Sequence, residues 1–221
     1  NGMIHPLYGF PIKGVLWYQG EASTTSRAKA LLYDIQLKDL VRTWREGWGN
    51  PEMPFLAAQL ASFGKATDRV RMFDQNWPWV RAGQKAIDEV PNCRAICLID
   101  SGMQDDIHPP YKENVGRRFA HAAREMVYGQ VGVPRSPELL SQERKGQSTV
   151  FIFDHVGSGL VAGDLPIDGV EDEEGLVYGF IVGEGSPRTY RRVTGRIIAP
   201  DKVEVSHPGL TNPDSVSYTH L

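Results

Sequence analysis

The sequence predicts an α/β domain followed by a β-rich module. Three observations carry that prediction. The run Gly14 to Tyr18, GVLWY, is short, apolar and aromatic, and it turns abruptly polar at Gln19-Gly20-Glu21-Ala22-Ser23. That is a buried strand delivering polar groups to a sheet edge. Strand and helix patterns then alternate over the first 135 residues, as a parallel sheet requires. After Ser136 the pattern becomes short β segments separated by turn residues. We therefore expect domains at residues 1–135 and 136–221.

Asn1 to Lys13 reads as loop, with two prolines and two glycines. The strand Gly14 to Tyr18 follows, then a polar turn in which Ser23 to Ser26 offers helix N-caps. A helix is predicted from Arg27 to Trp44, with Leu31, Leu32, Ile35, Leu40, Val41 and Trp44 forming its apolar face. Gly47, Gly49 and Pro51 end it. Pro54 to Leu60 is a second strand. Ser62 to Pro78 reads as an irregular loop; Trp77 and Trp79, either side of Pro78, form a wall for a sugar or pack on the domain. Trp79 to Val90 reads as a helix, Arg94 to Asp100 as a third strand, and Lys112 to Tyr128 as a helix with Val115, Phe119, Ala122, Met126 and Val127 on one side. In the second region strands are predicted at Ser148 to Phe153, Gly175 to Val182, Arg192 to Pro200, Lys202 to Pro208 and Ser215 to His220. Gly163 to Gly175 reads as an acidic, solvated turn.

The totals exclude several classes. With 24 Lys and Arg against 27 Asp and Glu, the net charge is -3, so there is no basic footprint for nucleic acid. No apolar run approaches the roughly 18 residues of a membrane span. The two cysteines, Cys93 and Cys97, would lie about 13 Å apart on one strand face, too far for a disulfide. They read as small reduced core residues. The six histidines are scattered, with no His-x-x-x-His or Cys pair at ligand spacing, so no metal is expected. No glycine-rich phosphate loop is present. Gly183 to Ser186 runs into Pro187 rather than a helix and is a turn. No cofactor is implied.

Two loops carry chemistry. Gln19-Gly20-Glu21 ends the first strand, where open α/β sheets keep their active sites. Asp105-Asp106-Ile107-His108 lies between the third strand and the next helix. A carboxylate two or three residues before a histidine can fix its tautomer and leave the other ring nitrogen free as a base.

The blocks NGMIHPLYGFPIKGVLWYQGEAS and DDIHPPYKENVGRRFA, in that order, resemble the sialate O-acetylesterase family, carbohydrate esterases of the SGNH-hydrolase superfamily. The likeness covers roughly residues 1–129. It implies a flavodoxin-like, three-layer α/β sheet and hydrolysis of acetyl esters on sugars by Ser, His and Asp. By resemblance His108 is the general base and Asp105 its orienting carboxylate, with Asp106 as the rival. Gln19 donates to the oxyanion with the Gly20 main chain close by, and Glu21 binds sugar or braces the loop. The family's nucleophile stands in a Gly-Gln-Ser-Asn block, which this sequence does not contain. Ser23 and Ser101 are the serines nearest the two motifs, and neither sits in a nucleophile pattern. The expectation is therefore an incomplete sheet in a piece of a longer chain, inactive alone, with its C-terminal VSYTHL also cut. The implied partner is an O-acetylated sugar. The resemblance points to an extracytoplasmic location, and the oligomeric state stays open. The alternative is a glycan-binding protein that keeps the pocket without a nucleophile.

Overall fold

The computed structural model describes residues 2–64, 76–103, 105–162, 175–186, 189–210 and 213–218. The chain forms two compact units, Asn1–Val133 and Pro134–Leu221. Parts of three predicted segments lie outside the described residues: 65–75 of the tryptophan-bearing loop, 163–174 of the acidic turn, and 219–221 at the C-terminus.

In the first unit, β1 (Val15–Trp17), β2 (Phe55–Ala58) and β3 (Cys93–Ile96) form a parallel sheet in the order β1-β2-β3. Val15 pairs with Phe55, which pairs with Cys93, so side chains of like parity share a face. On one face Val15, Trp17, Phe55, Ala57 and Cys93 pack against Ala30, Tyr33, Leu37, Val41, Val80 and Ile87. These come from α1 (Arg27–Leu31), α2 (Tyr33–Trp48), α3 (Trp77–Lys85) and the 3-10 turn Ala86–Glu89. On the other face Leu56, Ala58, Ile96 and Leu98 meet Val115, Phe119 and Ala122 of α4 (Glu113–Met126). Central β2 is buried along its whole length, hence its unbroken apolar run. Both cysteines are free.

The predicted helix from Arg27 to Trp44 is corrected in two ways. It breaks at Leu32 and continues to Trp48. Its apolar face is also different: Leu31, Leu32 and Ile35 stay exposed, while Ala30, Tyr33, Leu37 and Val41 are buried. The break resets the phase, so residues 33, 37, 40, 41 and 44 turn to the sheet at helical spacing. α3 starts two residues early, with Pro78 in its first turn, where the missing N–H costs nothing. It tightens to a 3-10 turn from Ala86. The third strand ends at Ile96, and Ile99–Ser101 is a 3-10 turn.

The second unit is an antiparallel sheet of six strands in the order β4-β5-β8-β7-β6-β9. They are β4 (Glu138–Lys145), β5 (Ser148–Asp154), β6 (Leu176–Glu184), β7 (Thr189–Ala199), β8 (Lys202–Ser206) and β9 (Pro213–Tyr218). Phe151, Phe180, Val182, Val203, Val205 and Leu210 form its core, with the Phe151 and Phe180 rings stacked 6.0 Å apart. β4 is an edge strand the sequence reading missed. Every residue in it is exposed, so it has no buried face to impose alternation.

Candidate functional site

The loops that leave β1, β2 and β3 share the C-terminal edge of the parallel sheet, the edge where such folds bind ligands. Regular hydrogen bonding stops there, so side chains must satisfy the loop backbone. Gln84 of α3 does this for two loops at once. Its Nε2 donates to the Gln19 carbonyl at 2.9 Å, and its Oε1 accepts from the Leu60 N–H at 2.8 Å. Gln84 is wholly buried. Arg81, one turn earlier, donates from Nε to the Leu60 carbonyl at 2.7 Å and from Nη2 to the Ala61 carbonyl at 3.0 Å. Burial pulls its guanidinium down to about 10, and the main-chain carbonyls it serves supply the compensating dipoles. Trp77, a turn before Arg81, donates from Nε1 to the same Ala61 carbonyl at 2.9 Å. Thus Trp77, Arg81 and Gln84 form one helix stripe clamping the loop after β2. Trp77 packs on the domain. Trp79 is exposed, with the Arg27 guanidinium 3.8 Å over its ring.

Gln19, Gly20 and Glu21 follow one another on the first loop. The Gln19 carbonyl also accepts from the Tyr33 hydroxyl at 2.6 Å, and its Oε1 lies 3.2 Å from the same hydroxyl. Gly20 is buried, and a Cβ there would meet Gln84 Nε2 at 2.7 Å, so only glycine lets the two approach. The Gly20 N–H donates to Glu21 Oε2 at 3.0 Å, so that carboxylate braces the loop. Asn76 ties this loop to the start of α3 by donating to the Thr24 carbonyl at 2.9 Å.

The loops after β2 and β3 are stitched as closely. Phe63 bridges Met103, and the Ser62 hydroxyl donates to the Ile99 carbonyl. A Cβ on Gly102 would collide with the Ser62 carbonyl oxygen, so this crossing also demands glycine. Beyond it, Asp105, Asp106 and His108 are exposed. Asp106 Oδ1 accepts from the His108 main-chain N–H at 2.7 Å, which shapes the turn. Pro109 behind His108 is buried. Asp100 holds Arg118 of α4 through two hydrogen bonds, and this pairing raises the Arg118 pKa. Lys112, just before α4, sits 5.0 Å from the Tyr18 ring centroid, which joins this segment to the end of β1. The Gln19 and His108 blocks therefore lie on one edge.

Ser23 lies in the 3-10 helix Glu21–Thr25, with its N–H bonded to the Gly20 carbonyl. The Ser101 hydroxyl is buried without a hydrogen-bond partner among the described residues. Also among the described residues, no group of three or more His, Cys, Asp or Glu could hold a metal, and no helix is long and apolar enough to cross a membrane. Tyr33, Arg81 and Gln84 were not singled out from sequence. The signal for two of them was Arg81 and Gln84 lying on the same helix side as Val80 and Ile87, polar groups where the period demands apolar ones.

Comparison with known proteins agrees with the two blocks. The family model for carbohydrate esterase, sialic acid-specific acetylesterase, matches residues 5–125, more than half of the chain. Sialate O-acetylesterase of Mus musculus is 31% identical, over 64% of this chain and 29% of its own length. That of Homo sapiens is 32% identical, over 65% of this chain and 31% of its own length. The chain thus spans about a third of these curated relatives. Among solved structures, a carbohydrate acetylesterase from Xanthomonas citri superposes with a TM-score of 0.79 at 35% identity, over 98% of this chain and 47% of that one. The expected fold class, an SGNH-type α/β sheet together with antiparallel β structure, agrees with this likeness. The chain belongs to the sialic acid-specific acetylesterase family of carbohydrate esterases.

Proposed function

We propose that the protein carrying this chain is a carbohydrate O-acetylesterase that hydrolyses acetyl esters on sugars, sialic acids foremost, by a Ser-His-Asp mechanism. The observation that carries this reading is the family match over residues 5–125, which contains both the Gln19 and the His108 blocks. Residues 1–135 supply the esterase chemistry and 136–221 an accessory module.

In this mechanism a serine attacks the acetyl carbonyl. His108 takes the serine proton as general base and later returns it to the departing sugar hydroxyl. Asp105 orients the imidazole. Its rival for that role is Asp106, whose Oδ1 accepts from the His108 main-chain N–H. Gln19 donates its side-chain amide to the developing oxyanion. Glu21 braces the loop through Gly20, which supports its structural role. These 221 residues hold no Gly-Gln-Ser-Asn block, so in this reading the nucleophile comes from outside them. The 221 residues alone are then without turnover.

The test is acetate release from O-acetylated sialic acid by the full-length protein and its His108→Ala variant. Turnover by the former, and its loss in the latter, is the expected result. A full-length protein that binds the sugar but releases no acetate would sink the enzymatic reading in favour of glycan binding.

A further inference from the structure

Gln19 is held through both its main chain and its side chain, and the side-chain bond sets which way its amide points. A tyrosine hydroxyl has one proton and two lone pairs. The Tyr33 hydroxyl accepts from Trp17 Nε1 at 3.2 Å. Its proton is directed at Gln19, to the main-chain oxygen at 2.6 Å and the side-chain oxygen at 3.2 Å. The end of the Gln19 amide that faces Tyr33 is its oxygen, and Nε2 is the end turned away. Tyr33 can hold this role because it is fixed itself, buried in the core with its backbone at the start of α2. Burial, and then the Glu21 charge, raise its pKa, so the proton it donates stays in place.

We propose that Tyr33 is the positioning residue that orients the Gln19 carboxamide, presenting its NH2 as a donor to the oxyanion. The inference rests on the reading in which Gln19 serves the oxyanion. It also explains why a tyrosine, rather than one of the neighbouring leucines, takes the core position at the head of α2.

The test is a double-mutant cycle in the full-length protein on a soluble acetyl ester such as 4-nitrophenyl acetate. Tyr33→Phe is expected to lower kcat about tenfold with KM changed less than about twofold, a fraction of the loss from deleting an oxyanion donor outright. In a Gln19→Ala background the same change is expected to lower kcat less than about threefold, because the group it orients is gone. Melting temperatures read the structural cost in each background separately. Equal losses of kcat in both backgrounds, or a folded Tyr33→Phe with kcat unchanged, would overturn the proposal. If Tyr33→Phe does not fold, Trp17→Phe removes a donor that steers the hydroxyl. It is expected to lower kcat in the same way, only with Gln19 present, and an unchanged kcat there overturns the proposal too. Wild-type turnover unaffected by Gln19→Ala removes the oxyanion role of Gln19 and this proposal with it. Absence of wild-type turnover removes the esterase reading itself.

Discussion

In residues 1–133 the buried polar side chains Arg81 and Gln84 bond main-chain atoms of loops, whereas in residues 134–221 the buried Thr149 and His207 bond each other. The antiparallel unit satisfies its backbone through long ladders, β5 to β8 and β6 to β7 among them. Its Thr149 and His207 contact, at 3.3 Å, joins two side chains and no loop backbone, and His207 Nδ1 is left without a partner among the described residues. The parallel unit has strands of three or four residues, so most backbone at its C-terminal edge lies beyond any ladder. Side chains reaching from α2 and α3 complete that backbone instead. Buried polar groups thus mark the edge where the fold holds irregular loops in fixed positions, which a catalytic site needs.

The sharpest test of this contrast is chemical. His108→Ala in the full-length protein is expected to lower kcat on an acetyl ester by about 10³-fold or more, as for other triad members. A comparable loss from Thr149→Val would erase the functional distinction between the two units. Next in size is Gln84→Leu, which keeps the volume but strands the Leu60 N–H and removes one donor to the Gln19 carbonyl. It is expected to cost about 2–4 kcal/mol in a denaturant titration, since each buried unmet group costs about 1–3. A cost below half a kcal/mol would show that water readily replaces the amide.

Gly20→Ala forces a Cβ to 2.7 Å from Gln84 Nε2 and within 3.2 Å of Leu60 Cδ2. We expect about 1–3 kcal/mol of destabilisation, read as a lower melting temperature. The pH profile follows from Tyr33. Its pKa is raised in the folded state, so the stability it contributes is intact below the ordinary tyrosine value of 10.0 and is lost as pH climbs above it. Alkaline unfolding followed by circular dichroism should begin at higher pH in Tyr33→Phe, relative to its own neutral-pH stability. The smallest effect is expected for Thr149→Val, about 1 kcal/mol or less by chemical denaturation, because one long contact is removed. A larger cost would mean that His207 relies on Thr149 as the loops rely on Gln84.

Strand cores and loop positions were legible because burial leaves a period-two or continuous apolar record, as in Gly14 to Tyr18 and Pro54 to Leu60. The Gln19 and His108 loops were legible for a different reason. They are dense in groups whose chemistry outweighs packing, and their sequence blocks resemble a family. The apolar face of the first helix was misread because leucines at 31 and 32 outweigh a tyrosine on any hydrophobic count, yet Tyr33 has a hydroxyl with a bond to make at Gln19. Strand β4 was missed because an edge with no buried face carries no pattern.

By itself, then, the sequence determined the α/β class and the strand–helix alternation, since these follow from local pattern, and its two polar loop blocks carried the resemblance to the family to which the chain belongs. Only the tertiary structure decided how the loops are held. Tyr33, Arg81 and Gln84 stand 14, 21 and 65 residues from the loop atoms they bond, and no local rule links such positions. Their pairing arises when packing of α2 and α3 on the sheet buries loop carbonyls and N–H groups that must then find partners.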